Sequence, residues 1–174
     1  MERGKKLQGQ SDAPLNEVGI KQANDAAKKV ADLGIDIIYS SDMSRAYQTA
    51  QILNQQKETK IIQDKRLREK TFGDYEGRFI PDITKDEWDL LEQNPSALNA
   101  ESVEDLYKRI KSFIEEIQKI SGERNILIVG HAGSIRMMMY CAKYKEFNQD
   151  EYNENFNSDK LDIGNATVIK LDLC

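Results

Sequence analysis

Three residues of this chain could do chemistry on an anion: His131, Arg45 and Glu69. His131 is the only histidine, and it follows an apolar run at 126–129 that predicts a strand buried on both faces. A helix is predicted over 135–142. Ligands of open α/β sheets bind at such a place, beyond the carboxyl end of a strand and beside a helix N-terminus. A structural polar group in a loop is an equally good interpretation of His131 taken alone.

Arg45 also follows a short apolar run, 35–39, and falls in the first turn of a predicted helix that Ser41 or Asp42 could cap. A cation there meets the positive end of the helix dipole, which is unfavourable unless an anion binds between the guanidinium and the helix amides. The alternative is a surface arginine paired with Asp42 or Glu69. Because two strand ends present positive or donor-rich groups, the sequence favours an anion site.

Glu69 lies in a glycine-punctuated loop, 67–77, among Arg66, Arg68 and Lys70. A carboxylate beside a bound anion can act as a general acid or base when its pKa is raised. Taken alone, Glu69 is better explained as part of a solvated charge run. Neither a GxGxxG nor a GxxxxGK[ST] motif is present, so a dinucleotide or P-loop site has no local support.

Strands and helices alternate along the chain, which predicts an α/β fold with a mainly parallel sheet. The other predicted elements are helices from near residue 16, over 81–92 and over 102–121, and strands over 60–63 and 167–173. The buried stripe of the first helix is predicted to comprise Ile20, Ala23, Ala27, Val30 and Ala31. Residues 144–160 are predicted to form a polar surface loop.

Length and composition narrow the class of protein. The 174 residues predict one domain, and a net charge of −5 with a pI of about 5.1 argues against nucleic-acid or membrane-surface binding. Two scattered cysteines, Cys141 and Cys174, with no secretory signal or apolar span, predict reduced thiols in the cytoplasm. One histidine and two distant cysteines form no zinc-type ligand set. Composition does not determine the oligomeric state.

Four stretches in chain order carry a specific resemblance, although each alone is weak. They are 7–19, 40–50, 67–77 and 129–136. The family patterns that they match are, in the same order, QG-x-x-D-x-PL-x-x-x-G, S-S-D-x-x-R-A-x-Q-T-A, L-R-E-x-x-F-G-x-W/Y-E-G and V-S-H-G-G-x-I-R. Glu101 and Ser102 are similar to a G-E-S motif. With these motifs the chain resembles the histidine phosphatase superfamily, which includes the cofactor-dependent phosphoglycerate mutases.

The resemblance implies a three-layer α/β/α sandwich that transfers a phosphoryl group through a phosphohistidine, without a metal or other cofactor. The partner would be a small phosphorylated substrate or free phosphate. Arg45 and His131 would hold the phosphate with Ala132, which replaces the usual glycine, and Glu69 would protonate the leaving oxygen. Phosphoryl transfer needs mainly positioning and positive charge around the equatorial oxygens, so these residue types suit it.

In the family a first strand leads into R-H-G-E-T-x-x-N, whose histidine is the nucleophile. The matches here start downstream of that motif, so we expect residues 1–174 to be truncated at the N-terminus and to lack a central strand. His131 matches the family's second histidine and not the nucleophile. Weak or absent catalysis is therefore expected, with lower stability than a full-length relative.

Three functions stay open on the sequence. The first is a phosphomonoesterase, favoured over a mutase because the stretch between Gly77 and Ser102 is short. The second is a phosphoester-binding pseudoenzyme that keeps Arg45, Glu69 and His131. The third, ranked last, is a nucleotide-binding or structural α/β module.

Overall fold

The structure is a computed structural model that describes residues 5–55, 58–122, 124–157 and 160–171. Short 3₁₀ turns occur within the loop that follows β2 and on either side of α3. The helices and strands of these ranges are α1 (Glu17–Val30), β1 (Ile37–Ser40), α2 (Ser44–Leu53), β2 (Ile61–Gln63), α3 (Lys85–Gln93), α4 (Val103–Ser121), β3 (Ile126–Val129), α5 (Ala132–Lys143) and α6 (Gln149–Asn155).

The three strands form a parallel sheet in the order β2-β1-β3, which confirms the predicted α/β class. Successive side chains of a strand point to opposite faces. Tyr39 and Ile128 accordingly pack on the core that α4 and α5 form, whereas Ile38 and Val129 pack with Ala46 of α2. The sheet therefore lies between two helical layers, as the resemblance implied.

Helix α4 has the buried stripe that its sequence predicts. Ser102 caps it by accepting a hydrogen bond from the amide of Asp105 at 3.0 Å. Leu106, Ile110 and Phe113 are buried against the sheet and α5, and each such side chain contributes about 1.5–3 kcal/mol. None of the helices in the described ranges combines the length and the apolar character needed to cross a membrane.

Helix α1 begins as predicted, because the Asn16 side chain accepts a hydrogen bond from an amide of its first turn. The predicted stripe was wrong in part, since the buried residues are Ala23, Ala26 and Val30. Ile20 borders a small cleft beside α2 and stays 44% exposed. Ala31 lies beyond the end of the helix and is also exposed.

Strand β3 forms where predicted, but the expectation of burial on both faces was wrong. Only Val129 is buried, and the other three residues are half-buried. Within the described residues β3 pairs with β1 alone. Its other edge borders a trough of about 1850 Å³ that α1, α5 and residues 163–171 enclose. The edge position explains the exposure, because no described strand covers this side.

The loop predicted over 144–160 contains helix α6, so that prediction was wrong. Tyr152 and Phe156 are buried in a cluster around Tyr140. The Tyr140 hydroxyl accepts a hydrogen bond from the Asn148 amide at 2.8 Å, just before the helix begins. Two aromatic residues spaced by four fix this helix within an otherwise polar segment.

The last predicted strand, 167–173, was wrong over 167–171, which form no strand. This segment and β3 both line the trough, and the sheet of the described residues contains only β2, β1 and β3. The rest of the prediction, with Cys174, lies outside the described residues. Cys141 is half-buried, and burial raises the pKa of its thiol to about 12.

Candidate phosphoryl-binding site

The start of helix α2 places Arg45 at the carboxyl end of β1. The predicted cap by Ser41 or Asp42 was wrong, because the N-cap residue is Met43 and it makes no side-chain cap. The carboxylate of Asp12 does this instead, since it accepts hydrogen bonds from the Ser44 amide at 2.8 Å and the Ser44 hydroxyl at 2.6 Å. A loop distant in sequence thus caps the helix that carries Arg45.

The guanidinium of Arg45 donates only to uncharged acceptors among the hydrogen bonds of the described residues. Its Nη2 reaches the Gly9 carbonyl at 2.7 Å, its Nη1 the Ser11 carbonyl at 2.9 Å, and its Nε the Nδ1 of His131 at 3.2 Å. Asp42 instead forms a bidentate pair with Arg68. The alternative of a surface ion pair is therefore not what the structure shows for Arg45.

His131 is 8% exposed and lies between two partners. Its Nδ1 must accept from Arg45, because a guanidinium N–H can only donate, so a neutral ring carries its proton on Nε2. The Nε2 lies 2.9 Å from the Ser41 hydroxyl oxygen and can donate to it. Burial, followed by the charges of Arg45 and Arg109, lowers the pKa of His131 to about 3. The imidazole is therefore neutral near pH 7.

Glu69 turns its carboxylate to the N-terminus of α5. Oε2 accepts a hydrogen bond from the Gly133 amide at 3.1 Å, and Oε1 accepts one from the Lys70 amide at 2.8 Å. A Cβ atom at position 133 would overlap Oε1, so glycine permits this close approach. The neighbouring Arg66 and Arg68 pair with other carboxylates. Glu69 is therefore held by backbone amides and not by the charge run around it.

The structure brings the four residues of the sequence-predicted site together. Arg45, Glu69, His131 and Ala132 all line the wall of the same trough. Ala132 is the first residue of α5 and is half-buried. Two helix N-termini, a cation whose hydrogen-bond acceptors among the described residues are uncharged, and a backbone-held carboxylate thus face one space, which suits a bound oxyanion.

Sequence reasoning missed the residues that hold the loops of this site. Glu76 accepts hydrogen bonds from the Gln10 amide at 2.8 Å and the Thr71 hydroxyl at 2.7 Å, which ties two motif loops together. The side chain of Gln10 donates to the Glu69 carbonyl at 3.0 Å. Gly9, at φ +51°, has no room for a Cβ beside Glu76. The motif letters at 8–9 and 76–77 carried this signal, but only as a resemblance.

Comparison with known proteins identifies the family. The profile of the histidine phosphatase superfamily (branch 1) matches residues 1–171, so the chain belongs to that superfamily. It is 34% identical over 146 residues to "Putative phosphoserine phosphatase 2" of Hydrogenobacter thermophilus. This alignment covers 76% of this chain and 68% of that protein. It is 31% identical over 141 residues to "Probable phosphoglycerate mutase GpmB" of Yersinia pestis, covering 78% of this chain and 66% of that one.

Solved structures agree with this assignment. The native structure of the mycobacterial glucosyl-3-phosphoglycerate phosphatase has a TM-score of 0.70 and 29% sequence identity, covering 80% of this chain and 73% of that chain. The similarity therefore extends over most of the fold, and the matched stretch spans about two thirds of the length of the two relatives above.

Proposed function

We propose that the trough binds a small phosphomonoester, with its phosphoryl group between Arg45, His131 and the first residues of α5, Ala132 among them. The observation that carries the proposal is that Arg45 has no direct ionic partner among the described residues. Its charge is partly buried and has no carboxylate within salt-bridge distance among the described residues. Glu69, Asp12 and Glu76 act on this charge only from a distance, so a bound oxyanion would give Arg45 a direct ionic partner and would also meet the positive ends of α2 and α5.

In this proposal Glu69 protonates the leaving oxygen as the P–O bond breaks. Its position at the N-terminus of α5 supports that role, because Glu69 lines the same trough as Arg45. His131 can donate Nε2–H to a phosphoryl oxygen when that oxygen takes the place of the Ser41 hydroxyl as the acceptor, which needs the imidazole ring or the hydroxyl to move. Its Nδ1 accepts from Arg45, and the ring is buried, so His131 supports the transferring group and is not the nucleophile.

Phosphatase chemistry is favoured over mutase chemistry. The stretch between Gly77 and Ser102 holds only α3 and two 3₁₀ turns in the structure, which leaves little chain to enclose a second phosphoryl acceptor. The relatives are named for phosphoserine, phosphoglycerate and glucosyl-3-phosphoglycerate. We infer that the substrate is likewise a small phosphorylated metabolite with a polar body.

Oxyanion binding tests the proposal directly. Isothermal titration of the 174-residue protein with orthovanadate should show one site, and Arg45→Ala should weaken binding by about tenfold or more, as expected for a charge-assisted contact. Arg66→Met is the matched control, because Arg66 pairs with Asp64 and Glu116 away from the trough. No binding by the wild type, or equal affinity in Arg45→Ala, would overturn the assignment.

A second candidate is binding without turnover. The chain has one histidine, it falls in the motif of the family's second histidine, and both its nitrogens are already paired. For residues 1–174 we therefore expect little or no hydrolysis of p-nitrophenyl phosphate and no acid-labile phosphohistidine. Robust turnover that depends on Glu69 would favour the phosphatase over the pseudoenzyme.

A further inference from the structure

We infer that Arg109 is a positioning residue, which sets the loop backbone so that the Glu69 carboxylate meets the N-terminus of α5. The inference rests on the proposed role of Glu69. It also gives a role to Glu101, the residue of the G-E-S-like motif that the site itself leaves unexplained.

Arg109 projects from α4 to the loop that carries Glu69. Its Nη1 donates to the carbonyls of Arg66 and Arg68, the latter at 2.8 Å, and its Nη2 donates to the carbonyl of Glu69 at 3.1 Å. Three carbonyls within four residues of the loop are therefore gathered on one planar group. A loop held in this way cannot shift along α4 without breaking several hydrogen bonds together.

Glu101 holds the other side of the same guanidinium. Its carboxylate accepts from Nε of Arg109 at 2.5 Å and from Nη2 at 2.8 Å, a bidentate pair whose side chains are 18% and 12% exposed. The backbone of Glu101 adds a further tie, because its amide donates to the Thr71 carbonyl at 3.0 Å. The pair thus fixes where Arg109 points and also joins the start of α4 to the loop after Glu69.

All five N–H groups of Arg109 are used by these contacts. Lysine has three donors and no planar fork, so it cannot reproduce the arrangement. Loss of the guanidinium would leave partly buried carbonyls without partners, which costs about 1–3 kcal/mol for each group left unpaired. The loop would then shift to find other donors and would carry Glu69 with it.

The neighbouring arginines do not share this role. Arg66 points to Asp64, Glu116 and the Ser112 carbonyl, and Arg68 to Asp42 and Gln10. Among the described hydrogen bonds, neither side chain donates to a backbone carbonyl of the Glu69 loop. Arg66→Met is therefore a control that removes an arginine–carboxylate pair from the same region and leaves the five contacts of Arg109 in place.

The Gly133 amide reports the contact that the inference concerns, because it donates to Glu69 Oε2. In the wild type this hydrogen bond should protect the Gly133 amide from hydrogen exchange, and Glu69→Ala should remove the protection. Arg109→Met and Glu101→Gln should lose that protection, Arg109→Lys should lose most of it, and Arg66→Met should keep it. Orthovanadate affinity of the wild type, measured in parallel, tests the proposed function separately.

The outcomes separate the two proposals. Exchange protection of the Gly133 amide that survives in Arg109→Met overturns the positioning role. If Arg109→Met does not fold, Glu101→Gln decides in the same way, since it weakens the pair and keeps the shape of the side chain. Absence of orthovanadate binding in the wild type would overturn the proposed function, but would leave the Gly133 measurement valid.

Discussion

His131 shows how the neighbours of one side chain determine its chemistry. A histidine in water has a pKa of about 6.5. Here burial and two arginines oppose the charged form, and Arg45 occupies the Nδ1 lone pair. The residue is thereby kept as a neutral donor through Nε2, which suits a group that supports a transferring phosphoryl and does not attack it.

This tautomer can be measured without ambiguity, because the chain has a single histidine. In ¹⁵N-labelled protein at pH 5 the imidazole should remain neutral and carry its proton on Nε2. Long-range ¹H–¹⁵N spectra separate the two ring nitrogens. A titration midpoint near 6.5, or a proton on Nδ1, would show that the contacts with Arg45 and Ser41 do not persist in solution.

Protein stability should depend on the same group. The folded pKa of His131, about 3, lies below its ordinary 6.5, so its contribution to stability is complete above pH 6.5 and is lost as the pH falls towards 3. Over that window the unfolded chain binds one more proton, which costs about 1.4 kcal/mol per pH unit. Urea unfolding should show this extra loss in the wild type and not in His131→Gln. Equal pH profiles for the two proteins would contradict it.

The candidate site forms where two strands end and the two helices that follow them begin. Strands β1 and β3 are parallel neighbours, so α2 and α5 both begin at the same edge of the sheet. Their positive ends therefore face one space. The loops that complete the site are fixed from outside, by Asp12 on α2 and by Arg109 on the Glu69 loop.

The Asp12 cap predicts a stability effect at the start of α2. Asp12→Ala removes the acceptor of the Ser44 amide and hydroxyl, and should lower the free energy of unfolding by about 1 kcal/mol. Chemical denaturation measures the loss. Asp25→Ala, which removes only an exposed pair with Lys28 on α1, should cost less. Equal losses in the two variants would show that Asp12 does not act as the cap.

At the scale of the molecule, the open edge of β3 is the most consequential feature. Backbone groups of alternate residues in a strand point to opposite sides, and the carbonyl of Val129 bonds to Ser41 beside β1. The backbone N–H and C=O groups of Leu127 and Val129 therefore point to β1, and those of Ile126 and Ile128 point to the trough. Half of the strand's donors thus lack a strand partner within the described part of the chain.

Hydrogen exchange should reveal this asymmetry inside a single strand. The amides of Ile126 and Ile128 should exchange about tenfold or more faster than those of Leu127 and Val129, because only the latter pair must open a ladder hydrogen bond. Amide-resolved exchange by NMR makes the comparison, with the two β1-facing residues as the internal control. Similar protection for all four amides would mean that another segment covers the edge in solution.

The sequence alone determined the parts that depend on local pattern. The strands β1 and β3, the capped start of α4 and the order of strands and helices up to α5 were predictable, because periodicity and caps act over a few residues. The meeting of Arg45 and His131 also followed, since both come after strands of a parallel sheet. The family assignment is confirmed, whereas the roles of the site residues, the single-domain boundaries and the cytoplasmic location stay predictions.

Only the tertiary structure decided the contacts between residues far apart in the chain. Asp12 caps a helix 32 residues away, and Arg109 reaches a carbonyl 40 residues away. Local pattern holds no trace of either contact. It also could not show that, among the described residues, β3 lies at an edge and 167–171 pairs with no strand, because burial and pairing belong to the assembled sheet. Hydrogen-bond partners and neighbouring strands depend on where residues lie in space, and the amino-acid sequence read along the chain does not determine them.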